Sequence, residues 1–273
     1  MPGEKITIPL KTNSSQLLEP LASRERPGAD AEDGTRRVSR ERMKADAIIV
    51  AAGKGQRFTA GKKKQFLPLA GKPILAHTLD KFEACPLIRS ILLVVSQEDT
   101  TTCLKEIVER YHYRKISQVV PGGKERQDSV KHGMDALPRD ADIVVIHDGV
   151  RPFVTREMIE ESIQTAIRVQ AVVFAVPVKD TIKVADLDGT VLRTLERESL
   201  WQTQTPQTFQ ANVFREALQK ALDERFTGTD DASLVERMGL KVHLLPGSYT
   251  NIKITTPEDM ALATLFLQQK EAG

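Results

Sequence analysis

Cysteine is scarce in this chain. Its two residues, Cys85 and Cys103, form no C-x-x-C and no metal-ligand spacing. That excludes a disulfide scaffold and a zinc module and points to reduced packing thiols in a cytoplasmic protein. Aromatic residues make up only 5%, so no stacking platform for bases is in view. Charge of neither sign dominates: a net +2 gives no case for nucleic acid or a membrane surface as partner. No apolar run approaches the roughly 20 residues of a bilayer-spanning helix. Residues 1–43 also lack aromatics and any sustained apolar period. They read as a disordered extension, with no apolar core for a secretory signal and seven acidic residues against an organelle transit peptide.

What is present is concentrated after Lys44. A short apolar run, Ala47 to Ala52, reads as a buried parallel strand. It leads into Gly53-Lys54-Gly55-Gln56-Arg57 and the lysine cluster Lys62-Lys63-Lys64. Glycines let backbone N–H groups converge on an anion while neighbouring cations offset its charge. The expected ligand is a polyphosphate. A P-loop is excluded, because Gln56 and Lys63 stand where its first glycine and its Ser/Thr belong. A dinucleotide fingerprint fails at Phe58, where its third glycine should be. Gly53 and Gly55 alone would equally suit a plain turn.

Apolar runs then alternate with helical periods. Strands are expected at Ile91–Val95, Ile116–Val120, Ile143–Ile146, Ala171–Val178, Val242–Leu245 and Ile252–Ile254. Helices are expected at Ile74–Phe82, Thr100–Tyr111, Glu125–Ala136, Thr155–Val169, Asn212–Asp223, Asp231–Met238 and after Pro257. The pattern predicts an α/β fold, Rossmann-like, with a mostly parallel sheet covered on both faces. Asp180 to Leu195 breaks it as two short strands joined at Asp186-Leu187-Asp188-Gly189. This hairpin has too few apolar residues for a core of its own, and it is expected to pack on another subunit.

Ligands of open parallel sheets bind beyond the carboxyl ends of the strands. Several chemically suited residues fall at such ends: Gly53 and Arg57; Gly122-Gly123-Lys124 with Arg126 and Ser129; Asp148 followed by Arg151; and Lys253. Asp148 is the candidate metal ligand, since a carboxylate beside a polyphosphate loop can hold Mg²⁺ against phosphate oxygens. Capping the turn before Arg151-Pro152 is its plainer use. His147 reads as a structural neighbour. No Ser or Cys sits in a nucleophile context.

The stretch A-A-G-x-G-x-R followed by K-Q-F-L-x-L-x-G-K-P-I-L-x-H-T-L resembles the nucleotidyltransferase signature. Within that superfamily it is similar to the polyol-phosphate cytidylyltransferases, the methylerythritol phosphate cytidylyltransferases above all. PGGKERQDSV, HDGVRPF, PVKDTIK, Arg197 to Trp201, Gln204 to Gln207, TDDAS and NIKIT-x-PED extend the likeness over residues 44–273. Two departures stand out: Lys63 replaces a proline, and Gly149-Val150 replace two alanines. The resemblance implies transfer of CMP from CTP to 2-C-methyl-D-erythritol 4-phosphate in non-mevalonate isoprenoid precursor synthesis. Ribitol 5-phosphate is the alternative acceptor, and a non-catalytic nucleotide-binding module the alternative class.

It also implies roles. Ala51, Ala52, Gly53, Gly55, Gly123, Lys124, Ser129, Asp148 and Gly149 would surround CTP, with Mg²⁺ at Asp148. Arg57 and Lys64 would grip the triphosphate, Lys64 rather than Lys63 because it directly precedes Gln65. Arg151, Thr181, Arg197, Thr229 and Lys253 would hold the acceptor. Catalysis would fall to Arg57, Lys64, Arg197 and Lys253. Thr181 and Arg197 would reach in on the arm (about 180–197) from the partner chain of a homodimer.

Overall fold

Buried apolar runs set the centre of the sheet. The computed structural model of the chain describes residues 43–53 and 63–271. The expected extension therefore lies outside the described residues except for Met43, which packs against the core. In chain order the strands are β1 (Ala45–Ala51), β2 (Pro68–Leu69), β3 (Lys72–Pro73), β4 (Ile88–Val95), β5 (Ile116–Pro121), β6 (Ile143–Asp148), β7 (Ala171–Pro177), β8 (Lys183–Ala185), β9 (Val191–Thr194), β10 (Trp201–Gln210) and β11 (His243–Pro246). The helices are α1 (Ile74–Ala84), α2 (Thr100–Cys103), α3 (Arg126–Ala136), α4 (Arg156–Val169), α5 (Ala211–Asp223), α6 (Ala232–Arg237) and α7 (Pro257–Glu271).

Seven strands form one sheet in the order β11-β7-β10-β6-β1-β4-β5. β1 lies between β4 and β6 and runs parallel to both. Its side chains alternate as a strand requires. Ala47, Ile49 and Ala51 face a core shared with α1 and α4, and Ile48 faces a second core built on α3, α5 and α6. Both faces are covered, which is why β1, β4 and β6 each contain a continuous apolar run, Ala47–Ala51, Ile91–Val95 and Ile143–Ile146. Helix starts follow local chemistry. The Thr155 hydroxyl accepts from the Met158 amide at 3.2 Å at the start of α4, and Glu125 and Asp128 form a reciprocal capping box on α3.

The structure corrects three expectations. A ten-residue strand, β10, had no forecast; it runs antiparallel between β6 and β7. Its polar sequence, WQTQTPQTFQ, is tolerated inside because side chains satisfy one another. The Gln207 amide donates to Asp230 at 2.9 Å and the Thr208 hydroxyl to Ser162 at 2.9 Å. Pro206, which cannot donate to the ladder, lies within a register shift between Thr203 and Gln207. Second, residues 252–254 form no strand. Ile252 N–H bonds to Thr250 O and Ile254 N–H to Val150 O, so a turn and the loop after β6 satisfy this backbone. Third, the helix expected from Thr100 to Tyr111 is α-helical only to Cys103 and continues as a π-helix over Leu104–Glu109. Cys103 and Ile107 still point inward.

The hairpin formed as expected, β8 pairing antiparallel with β9. It carries exposed Leu187, Val191 and Leu192. Its base is closed in the main sheet, where Trp201 is the register partner of Pro177.

Candidate active site

The cleft lies where strand order reverses around β1, at the carboxyl ends of β1, β5 and β6. It holds a cavity of about 210 Å³ whose described lining includes Ala51, Ala52, Gly53, Lys64, Gly123, Lys124, Ser129, Asp148 and Lys253. These nine residues, scattered over about two hundred positions of sequence, were all expected at the site. Arg57 and Gly55 lie outside the described residues.

The wall after β5 depends on glycine. A Cβ on Gly122 would stand 2.4 Å from Ala52 Cβ, and one on Gly123 would stand 2.2 Å from Asp128 Cβ. The close approach lets the Gly123 amide donate to Ser129 Oγ at 3.1 Å, while the Ser129 hydroxyl donates to Glu125 O at 3.1 Å. Gly123→Ala is expected to push Asp128 away and break the α3 capping box. The cost should be about 1–3 kcal/mol, the usual range for overpacking, or roughly 2–4 °C of melting temperature for each kcal/mol in a domain of this size. Thermal unfolding checks it, and an unchanged melting temperature would mean the contact relaxes freely.

Asp148 anchors the opposite wall. Its carboxylate is 5% exposed. It meets Lys253 Nζ at 3.0 Å, Arg151 Nε at 3.3 Å and Arg126 Nε at 3.4 Å. Burial pulls its pKa up, but Arg126, Lys253 and Arg151 outweigh that and hold it well below the usual carboxylate range. Arg126 is itself held by both oxygens of buried Asp231, at 2.9 and 2.7 Å. Arg151 Nη1 donates to Asn251 O at 2.8 Å.

His147 is buried, and burial lowers its pKa to about 3. Its Nε2 faces Arg151 O at 3.2 Å and must carry the proton, since a carbonyl only accepts. Nδ1 then accepts from the Thr205 hydroxyl at 2.8 Å. Both ring nitrogens are occupied, so His147 is structural.

Across the cleft, Lys64-Gln65-Phe66 forms a single 3₁₀ turn. Gln65 is buried and its amide donates to Ala51 O at 2.9 Å, tying this turn back to β1. Neither Gln65 nor the Asp231 partner of Arg126 stood among the expected site residues. Asp231 lies within the TDDAS segment, but nothing in the sequence pairs it with Arg126, 105 positions away. The expected residues are not all brought together. Gly149 is buried behind the wall, its N–H on Val50 O at 2.9 Å and its carbonyl accepting from Thr78 at 3.1 Å. Its amide and one acceptor position of its carbonyl are thus engaged within the protein. Arg151 contacts Asp148 but is not among the residues lining the cavity. Thr229 is exposed on the loop before α6. Thr181 and Arg197 are exposed on the arm, where Arg197 Nη1 donates to Lys179 O at 3.1 Å.

The donor set suits a cation that brings its own phosphate ligands. Among the described residues no group of three or more His, Cys, Asp or Glu is placed to hold a metal ion, but Asp148 is held in its charged form, with Lys253 at 3.0 Å and longer contacts to Arg126 and Arg151. Mg²⁺ is commonly held by one or two carboxylates together with substrate phosphates and water, and the Asp148 site fits that arrangement.

A mostly parallel sheet whose carboxyl edge carries glycine-lined walls, several cations and one ionised carboxylate is the arrangement of an α/β nucleotidyltransferase. The profile of the family described as IspD, 2-C-methyl-D-erythritol 4-phosphate cytidylyltransferase, matches residues 45–269. The chain belongs to that family. A relative of that name from Caldanaerobacter subterraneus subsp. tengcongensis is 47% identical over 227 residues, 83% of this chain and 100% of its own length. Another, from Geobacter metallireducens, is 47% identical over 231 residues, 84% of this chain and 99% of its own. The crystal structure of 4-diphosphocytidyl-2C-methyl-D-erythritol synthase from Anaerococcus prevotii superposes with a TM-score of 0.74 at 34% identity, covering 83% of this chain and 99% of that one.

Proposed function

We propose that the protein transfers CMP from CTP to 2-C-methyl-D-erythritol 4-phosphate, giving 4-diphosphocytidyl-2-C-methyl-D-erythritol and pyrophosphate for isoprenoid precursor synthesis. The observation that carries this reading is the ionised Asp148 set among Arg126, Arg151 and Lys253, with Lys64 and Lys124 also on the cavity wall. An acceptor phosphate oxygen attacks the α-phosphorus of CTP in line, a new P–O bond forms, and the bond to the β-phosphate oxygen breaks. The acceptor is already ionised at pH 7, so no general base is needed, and His147 is not free to be one. Positioning and charge stabilisation then do the chemistry.

Gly123, Lys124 and Ser129 would hold the nucleoside end, and Ala51, Ala52, Gly53 and Lys64 the triphosphate, joined by Arg57 and Gly55. Asp148 would hold Mg²⁺, which supplies neutralising charge to the phosphates when bound. Lys253 and Arg151 would orient the acceptor with Thr229. Thr181 and Arg197 would arrive from the partner chain of a homodimer. No helix among the described residues is long and apolar enough to cross a membrane, and both cysteines are buried free thiols, in keeping with work in the cytoplasm.

Incubation with CTP and Mg²⁺ plus either 2-C-methyl-D-erythritol 4-phosphate or ribitol 5-phosphate, read as pyrophosphate release, tests this. Preference for the first acceptor is expected, and preference for ribitol phosphate would overturn it. CTP binding by calorimetry without release on either acceptor would make the protein a non-catalytic binding module.

A further inference from the structure

Lys63 and Lys64 are adjacent, yet they face different parts of the molecule. Lys64 lines the nucleotide cavity, whereas Lys63 lines a separate groove with Phe66, Asp99 and Tyr111. The Lys63 ammonium donates to Ser96 Oγ, Glu98 Oε1 and Asp99 Oδ2, each at 2.7 Å. An ammonium has three donors, and all three are used. Ser96 Oγ also donates to Asp99 Oδ2 at 2.5 Å, and Asp99 N–H to Ser96 O at 3.0 Å, so the acceptor set is itself fixed. The Lys63 side chain is 21% exposed and that of Asp99 15%, which sets this pair apart from the freely solvated pairs that contribute little. Glu98, at 69%, is the solvated partner.

The same residue governs the turn that carries Lys64. Lys63 O accepts from Phe66 N–H at 3.0 Å and opens the 3₁₀ turn. The backbone of Lys63 sits at φ −66°, ψ 138°. Gln65 ties this turn to β1, and Lys63 ties it to the segment leaving β4, the neighbouring strand. Without the second tie the turn could pivot about Gln65, and Lys64 with it.

We propose that Lys63 is a positioning residue for the transfer reaction: its ammonium, locked on Ser96, Glu98 and Asp99, fixes the backbone from which Lys64 reaches the triphosphate. The inference rests on the function proposed above. It assigns Lys63 no contact with the nucleotide. What the chemistry needs from it is a turn that does not pivot, and proline, whose ring locks φ near −65° and which keeps its carbonyl, would restrain that pivot within the chain instead of by a tie to the segment leaving β4.

The test compares wild type, Lys63→Met, Asp99→Asn, the double variant and Lys63→Pro. The readouts are pyrophosphate release with CTP and acceptor varied separately, CTP affinity by calorimetry, and melting temperature. Lys63→Met and Asp99→Asn should each lower kcat/KM for CTP by about tenfold, as expected for members of one hydrogen-bonded network. KM for the acceptor should hold, and the double variant should be no worse than either single one. Lys63→Pro should return to within about twofold of wild type, since φ is then fixed covalently. A Lys63→Met enzyme as fast as wild type would sink the proposal. So would a Lys63→Pro enzyme that folds but is as impaired as Lys63→Met, because the ammonium itself would then act on the nucleotide. Should wild type release no pyrophosphate, the assigned reaction fails instead, and only a small loss of CTP affinity, in the same order and well short of tenfold, is expected.

Discussion

Replacing Lys64 with alanine is expected to slow CMP transfer by roughly 10²–10³, while CTP affinity falls much less. Losing one preorganised donor aimed at developing charge costs about that much in other enzymes, some 2.7–4 kcal/mol. Lys64 is a wall residue of the cavity that also contains Asp148 and Lys253. Charge accumulates on the departing pyrophosphate as its bond to the α-phosphorus breaks, and an ammonium held there stabilises that charge more than it stabilises bound CTP. Single-turnover rates with saturating CTP, beside calorimetric affinities, separate the two effects. Full rate in Lys64→Ala together with complete loss in Lys63→Ala would exchange the roles of the two lysines.

The second large effect is a recovery. On the proposed dimer, each site takes Lys64 from one chain and Arg197 from the other. In its own chain Arg197 is exposed on the arm, bonded to Lys179 O and absent from the cavity lining. Lys64→Ala and Arg197→Ala homodimers should both be nearly inactive. Unfolded and refolded as an equal mixture, about half the dimers become hybrids under random isologous pairing. One site of each hybrid collects both lesions and the other has neither, so activity should return to about a quarter of wild type. If Arg197 served its own chain, every hybrid site would carry one lesion and activity would stay flat. Native mass spectrometry confirms that hybrids formed, so a flat result is decisive against the shared site.

Much of this site could be read from the chain because its parts sit where sequence signals are strong. β1, β4 and β6 are buried on both faces and therefore announce themselves as apolar runs. The residues at their carboxyl ends then inherit a predictable location, as Gly53 and Asp148 did. β10 gave no such signal, since its buried Gln207 and Thr208 are satisfied by Asp230 and Ser162, partners far away in sequence. Arg126 stood out as a strand-end cation, but its grip by Asp231 depends on α3 and the start of α6 meeting in space. Gly149 entered as a nucleotide contact through the resemblance of HDGVRPF, and nothing in the sequence showed that its amide bonds to Val50 and its carbonyl to Thr78. The segment around Lys253 had the composition of a strand, but its amides bond to Thr250 and to Val150 in the loop after β6, so it is a loop.

The closed base of the arm has a consequence for how such a protein can vary. The chain leaves the sheet at Pro177 and re-enters at Trp201, its register partner, with Val178 N–H on Leu200 O at 3.0 Å. What lies between is topologically a graft: its ends are pinned together by the domain, not by its own fold. Lengthening such an insertion is cheap, roughly 0.6 kcal/mol for each doubling of a flexible loop. Residues 178–200 can therefore drift, shorten or be exchanged between relatives while the catalytic sheet keeps its stability. On the proposed dimer, subunit choice and folding are then separable inheritances, and a transplanted arm should redirect assembly without disturbing the fold of the domain that carries it.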